Sequence, residues 1–91
     1  MDRRPVALEH RFTTRRRGLI VRYWVEADPA HGGFEHWLEA REAVNQVEQI
    51  APWGDTIRVI ALFFINHCRG INSIEVCDDH GDGYAAHKDW P

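Results

Sequence analysis

Two stretches near the start of the chain alternate between apolar and polar residues, and this period of two limits the fold more than any other feature. Residues 6–13 have the period of a half-buried β-strand, and residues 19–26 repeat that pattern less cleanly. The segment between them carries three consecutive Arg residues and ends in Gly18, which suits the positive φ of a hairpin loop. The sequence therefore predicts an N-terminal β-hairpin with an Arg-rich tip. Its inward residues in the second strand are Leu19, Val21, Tyr23 and Val25.

A helical pattern follows this hairpin. Asp28 and Pro29 form a helix-start signal, from Phe34 onward the apolar positions fall close to three-and-four spacing, and Pro52 marks the end of the helix. The side chains expected to face the core are Trp37, Leu38, Val44, Val47 and Ile50. The glutamates expected to be solvated on the other side are Glu35, Glu39, Glu42 and Glu48.

Residues 57–65 are the most ambiguous part of the chain. Their Ile, Val and Phe residues favour a strand, whereas the flanking residues favour a helix. Asp55 or Thr56 is a suitable N-cap, and Gly70 fits the left-handed position that follows a helix. We predict a helix over this segment and keep a strand as the alternative.

A second hairpin is predicted after that helix. Residues 73–78 have a strand pattern with Ile74 and Val76 inward. Residues 80–83 are rich in Gly and Asp and suit a turn, and residues 84–88 could form the second strand of the hairpin. The element order is then ββααββ, or ββαβββ if residues 57–65 are a strand. The predicted fold class is α+β, a small two-layer sandwich of about four mainly antiparallel strands packed against two helices.

Length and apolar content set the scale of the molecule. A chain of 91 residues supports one core and not two, so a single domain over residues 1–91 is expected. The longest uncharged apolar run, residues 59–65, is far shorter than the roughly 20 residues of a membrane span, and no secretory signal is evident. Cys68 and Cys77 do not make a disulfide framework. These features predict a cytoplasmic protein without a membrane partner.

The densest polar cluster lies at residues 78–89. Alternate oxygen ligands followed by Gly are typical of a calcium-binding loop, but His80 stands where an oxygen ligand is expected and Asp89 where a Glu is expected. Asp and Gly are also the residues that a tight turn requires. We predict a plain hairpin turn, with a divalent-metal site as the alternative and no other cofactor. The ligands of that alternative site are Asp78, Asp79, Asp82 and His87.

A binding surface is predicted on the outer side of the N-terminal hairpin. Trp24 lies on the side of its strand that faces away from the core, beside Arg22 and close to Arg11 of the neighbouring strand. A Trp in such a position is covered by a partner or lines a groove. Residues 1–22 carry a net charge of +5 and the rest of the chain −8, so the basic end of one copy can dock on the acidic part of another.

The sequence contains no complete catalytic motif, since a nucleophile elbow, a Walker loop and a dinucleotide fingerprint are all missing. The leading hypothesis is a small non-enzymatic binding or adaptor domain that self-associates as a homodimer and takes a protein or small-molecule partner. One alternative is a metal-dependent hydrolase or nuclease that uses the cluster at residues 78–89. The other is a nucleic-acid-binding domain that uses the Arg-rich hairpin, although the overall acidity disfavours it. Trp90 is expected either to tuck against the domain or to lie in an interface.

Overall fold

Four strands and two helices follow one another in the predicted order. The computed structural model describes residues 8–25, 33–68 and 71–87. The ββααββ order is confirmed, and residues 57–65 are helical. The strands are β1 (Leu8–Thr13), β2 (Ile20–Val25), β3 (Ile71–Cys77) and β4 (Gly83–His87). The helices are α1 (Gly33–Ile50) and α2 (Thr56–His67), with a single 3-10 turn at Trp53–Asp55 before α2.

The four strands form one sheet in which every pair is antiparallel and the spatial order β1-β2-β3-β4 equals the chain order. Strands β2 and β3 are hydrogen-bonded neighbours although both helices lie between them in the sequence. Ile20 is opposite Cys77, and Val25 is opposite Ile71. The register shifts between Trp24 and Val25. Because side chains alternate along a strand, the inner face of the sheet carries the residues predicted to be buried. Val21, Tyr23, Val25, Ile74 and Val76 are all fully or almost fully buried there.

Helix α2 covers this inner face and contacts β3, β4 and α1. Its buried residues, Thr56, Ile60, Ala61, Phe64 and Ile65, recur at helical spacing. Phe64 reaches the rings of Phe12 and Tyr23, with centroid separations of 5.8 and 4.9 Å. In a strand the same apolar residues would divide between two faces, and only one of those faces could be buried. Helical spacing puts them on one side, which is why the helix prevails over their strand propensity.

Helix α1 buries only part of the side predicted to face the core, since Val44 is buried and Val47 packs against the core. Ala40 and Val44 are buried, whereas Leu38 and Ile50 are 43% and 83% exposed. Glu48 is only 2% exposed, although its position predicts a solvated side chain. The prediction was wrong at these three residues because the side of α1 that carries Glu48 meets the polar backbone of the β1–β2 loop.

The ends of α2 agree with the prediction in part. Asp55 is the N-cap, but its side chain makes no capping bond, and Thr56 Oγ1 donates instead to the carbonyl of Pro52 at 2.6 Å. Cys68 follows the helix in an extended conformation. The predictions for Asp28 and Pro29, for Gly70 and for Trp90 fall outside the described residues. Within the described ranges, neither helix combines the length and the apolar character that crossing a bilayer requires.

Candidate functional site

Three chain segments meet at one end of the sheet, which we call the tip end. The β1–β2 loop lies there, and the β3–β4 turn lies at the same end because β2 and β3 run antiparallel. Helix α2 finishes at His67, close in sequence to the start of β3 at the opposite end, so the N-terminus of α2 also points to the tip end. The topology thus brings together an Arg-rich loop, an acidic turn and the start of a helix.

The Arg-rich loop is anchored to α1 through its backbone. The Thr14 hydroxyl and the N–H groups of Arg16 and Arg17 all donate to the carboxylate of Glu48, the two N–H bonds measuring 2.8 and 3.1 Å. The N–H of Arg15 donates to Oδ1 of Asn45 at 3.0 Å. Gly18 has φ +65°, which confirms the predicted left-handed position. Successive N–H groups that point at one carboxylate form an anion-binding concavity, and here the anion belongs to the protein itself.

Two arginine side chains of the same loop also lie against α1. Arg15 makes an ion pair with Glu42 at 2.8 Å, both side chains being largely exposed, and Arg16 Nη1 donates to the carbonyl of Gln49 at 3.2 Å. The basic start of the chain therefore packs on the acidic helix that follows it. Part of the charge separation seen along the sequence is thus neutralised inside the fold, which weakens the case for a polyanion as its partner.

The acidic turn confirms the predicted hairpin. Oδ1 of Asp78 accepts the N–H groups of His80 and Asp82, both at 2.9 Å, and the N–H of Asp78 donates to the carbonyl of Asp82. Gly81 supplies the positive φ of +90°. The Asp78 side chain thus organises the turn, as Asx turns do.

The four residues predicted as metal ligands are only partly brought together. Asp78, Asp79 and Asp82 share the turn, but His87 lies at the far end of β4, about 13 Å away at roughly 3.3 Å per residue. In the part of the chain that the structure describes, no three His, Cys, Asp or Glu side chains lie close enough to share an ion. The metal site therefore stays a prediction, and it lacks a preformed cage of protein ligands.

A cleft of about 590 Å³ opens between the three segments at the tip end, and we call it the tip cleft. The loop and α2 contribute Arg16, Arg17 and Arg58, the turn contributes its acidic residues, and Leu19, Ile57 and Tyr84 add apolar surface. The cleft thus combines residues from two separate sequence predictions, the Arg-rich loop and the acidic turn. Arg58 joins them only in three dimensions, and no sequence motif marks it.

The second candidate surface is the side of the sheet that faces away from α1 and α2, which we call the open face. Within the described ranges no helix packs on it. Its residues form three rows across the four strands. Ordered from β1 to β4, the row at the tip end is Thr13, Ile20, Cys77 and Gly83, the middle row is Arg11, Arg22, Glu75 and Ala85, and the last row is Glu9, Trp24, Ser73 and His87.

The three residues predicted to bind a partner lie together on the open face. Arg22 donates from Nη2 to Glu9 at 2.6 Å and from Nη1 to Glu75 at 3.3 Å, and its guanidinium carbon lies 5.2 Å from the centroid of the Trp24 ring. The hydrogen bond that Arg22 donates to Glu9, and then the charge of Glu9, raise the pKa of Arg22. Arg11 lies directly opposite Arg22, and among the described residues no carboxylate is within ion-pair distance of it. The open face therefore carries charges of both signs beside a half-buried Trp.

A polar cluster around the buried Tyr23, on the inner face of the sheet, has no sequence signature. The Tyr23 hydroxyl accepts bonds from Arg41 Nε and Nη2 at 3.0 and 2.8 Å, and the ring of His10 stacks on Tyr23 with a centroid separation of 5.2 Å. Burial raises the pKa of Tyr23. Burial first, and then the charge of Arg41, lowers the pKa of His10. This cluster belongs to the interior, so we assign it to stability.

Comparison of the chain with protein-family models, with curated proteins and with solved structures gives no match. The function is therefore inferred from the tip cleft and the open face of this chain alone.

Proposed function

We propose that the protein is a non-enzymatic binding domain that forms a homodimer through the open face. The observation that carries the proposal is the distribution of charge over this face. Arg11 and Arg22 lie in the same row as Glu75, and Glu9 lies in the same row as His87. A surface that pairs with a second copy of itself needs complementary groups at positions related by a two-fold axis.

One two-fold arrangement satisfies this condition. In this arrangement the open faces of two copies stack on each other, and the two-fold axis lies between the sheets, parallel to the strands. Strand β2 of one copy then lies over β3 of the other, and β1 lies over β4. The register then sets Arg22 opposite the partner's Glu75, and Glu9 opposite the partner's His87. An axis perpendicular to the strands would instead set Arg22 over the partner's Arg22. Like charges in contact are unfavourable, so the charge pattern selects the first arrangement.

The size of the open face sets the expected affinity. Four strands about 4.8 Å apart and six residues of about 3.3 Å each give roughly 400 Å² of flat area. A standard complex buries about 800 Å² on each partner. Trp24 and Ile20 supply apolar contact, while Arg22 already covers part of the Trp24 ring. We therefore expect a dissociation constant in the micromolar range and not the nanomolar range.

Two charge reversals test this dimer. Arg22→Glu sets Glu against the partner's Glu75, and Glu75→Arg sets Arg against the partner's Arg22, so each variant by itself is expected to be monomeric. A mixture of the two variants restores opposite charges across the interface, although it restores none inside either chain. Sedimentation equilibrium should therefore show a heterodimer only after mixing.

The mixing step separates contacts between chains from those within one chain. Circular dichroism of each variant first establishes that the fold is retained. A wild-type protein that is monomeric at high micromolar concentration would contradict the proposal. So would a mixture that stays monomeric while the wild type dimerises, because the charge reversals would then act only within each chain.

A further inference from the structure

We infer that the tip cleft is a binding site for a nucleoside diphosphate together with its Mg²⁺ ion. The inference rests on residues of three separate segments and is independent of the open face. The cleft volume of about 590 Å³ lies within the roughly 300–1,000 Å³ of small-molecule sites. Its arginines come from the loop and α2, and its acidic residues come from the turn and from Asp55 at the start of α2.

The basic part of the lining fits phosphate oxygens. Arg16 and Arg17 enter from the β1–β2 loop, and Arg58 enters from the first turn of α2. A guanidinium is planar and can give two parallel N–H bonds to one phosphate group. The cleft is also lined by Gly54, Asp55 and Thr56. The Asp55 side chain makes no capping hydrogen bond to the start of α2. The helix N-terminus thus adds favourable backbone dipoles to the arginines.

The loop that carries Arg16 and Arg17 is held in place by its contacts with α1. The backbone N–H groups of Arg16 and Arg17 are bound to the buried carboxylate of Glu48, and Arg16 Nη1 is bound to Gln49. A loop whose backbone is already ordered loses little conformational entropy when it binds a ligand. The Arg-rich loop is therefore organised before the phosphate arrives.

The acidic part of the lining would repel a bare phosphate. Asp79 and Asp82 lie in the β3–β4 turn with exposed side chains, whereas Asp78 is engaged by two backbone N–H groups of the turn. Mg²⁺ removes the conflict because it is commonly held by one or two carboxylates plus the phosphates of the ligand, without a full set of protein ligands. That requirement agrees with the lack of a three-ligand cluster among the described residues. The ion is expected to enter with the phosphates.

The apolar part of the lining indicates the remainder of the ligand. Of its apolar lining residues, Leu19 is buried, and Ile57 and Tyr84 are half-buried. An aromatic side chain next to aliphatic ones can accept the flat face of a nucleobase. A diphosphate joined to a nucleoside therefore matches the arginines, the aspartates and the apolar surface together.

Titration calorimetry with ADP and GDP, each with excess Mg²⁺ or with EDTA, tests the inference. Binding is expected with Mg²⁺ and should weaken at least about tenfold in EDTA. Arg58→Ala should weaken binding about tenfold in Mg²⁺, because one charge-assisted contact is lost. The double variant Asp79→Asn, Asp82→Asn should bind equally with and without Mg²⁺. Arg11→Ala, which removes an arginine of the open face, is the matched control and should bind like the wild type.

Three results would overturn the inference. They are the absence of binding by both nucleotides in Mg²⁺, wild-type affinity of the Arg58→Ala variant, and affinity unaffected by EDTA. Magnesium pyrophosphate, which lacks the nucleoside, tests whether the nucleoside contributes to binding. Pyrophosphate binding weaker than that of ADP and GDP supports contacts to the base, and equal affinity would contradict them. Circular dichroism of every variant checks the fold, and the oligomer mass is measured separately, so failure here leaves the dimer proposal intact.

Discussion

Glu48 lies where α1 meets the Arg-rich loop, and its carboxylate receives bonds from a hydroxyl and two backbone N–H groups. Its position in the helix predicts a solvated side chain. The pattern of apolar residues in α1 cannot distinguish a polar residue that faces water from one that faces a polar loop. The missing information is where the loop lies. It comes from the pairing of β2 with β3 and is therefore not local.

Replacing Glu48 should be costly. Glu48→Ala leaves the Thr14 hydroxyl and the N–H groups of Arg16 and Arg17 without their acceptor, so we expect the free energy of unfolding to fall by about 3 kcal/mol. Glu42→Ala is the matched control on the same helix. It removes only an exposed ion pair with Arg15 and should cost less than about 0.5 kcal/mol. Urea unfolding measures both, and similar small losses would show that Glu48 does not anchor the loop.

His10 links stability to pH. Its pKa in the folded protein is lower than the usual 6.5, so below that pH the unfolded chain binds more protons than the folded one. Stability is then fully present above about pH 6.5 and falls as the pH drops towards the folded pKa of His10. His10→Phe keeps an aromatic ring beside Tyr23 and removes the titration. The variant should lose less stability than the wild type between about pH 7 and pH 5.5.

The control for this pH dependence is His80→Asn, because the His80 side chain is 83% exposed. This variant should follow the wild-type pH dependence in urea unfolding. A His10→Phe curve that is parallel to the wild type over this range would show that other groups cause the effect.

At the scale of elements, strand pairing was easier to predict than helix orientation. The alternation in residues 6–13 and 19–26 and the Gly residues of both turns mark the hairpins, and Gly18 and Gly81 both have positive φ. The side of α1 that is buried was predicted wrongly at Leu38, Ile50 and Glu48, because its neighbours are set by tertiary contacts. The acidic turn was predicted as a hairpin, but the cleft that it forms with Arg58 needs three segments to meet.

Trp24 belongs to an element whose outer side is open, and this position leads to a separate prediction. Trp24→Ala removes the largest apolar side chain of the open face, so we expect dimerisation to weaken about tenfold or more. Ile50→Ala is the matched control because Ile50 is an 83% exposed apolar residue of α1. It should leave the dissociation constant unchanged in sedimentation equilibrium. Weakening by Ile50→Ala and not by Trp24→Ala would move the interface to α1.

At the scale of the whole molecule, the fold changes the meaning of the charge pattern. Along the sequence, the basic start and the acidic remainder are separate and suggest docking between copies. In the structure, Arg15 pairs with Glu42, and the backbone of the Arg-rich loop binds Glu48. On the open face Arg22 also pairs with Glu9 and Glu75 of its own chain, and the proposed dimer would add a second set of opposite charges across the interface. Strand alternation in the sequence predicts that Arg22 and Trp24 face away from the core. Only the register of the sheet shows that Arg22 lies between Arg11 and Glu75.

The location of the tip cleft has a consequence for how this molecule can change over evolutionary time. Its polar lining comes from a loop, a turn and the first turn of a helix, which lie at the ends of elements and contribute little to the apolar core. The open face consists of strand residues whose neighbours on either side form that core. A new ligand preference can therefore arise by substitution at the tip end without changing the register of the sheet, whereas an insertion within a strand would turn its buried residues outward. The two surfaces can thus diverge at different rates within one small fold.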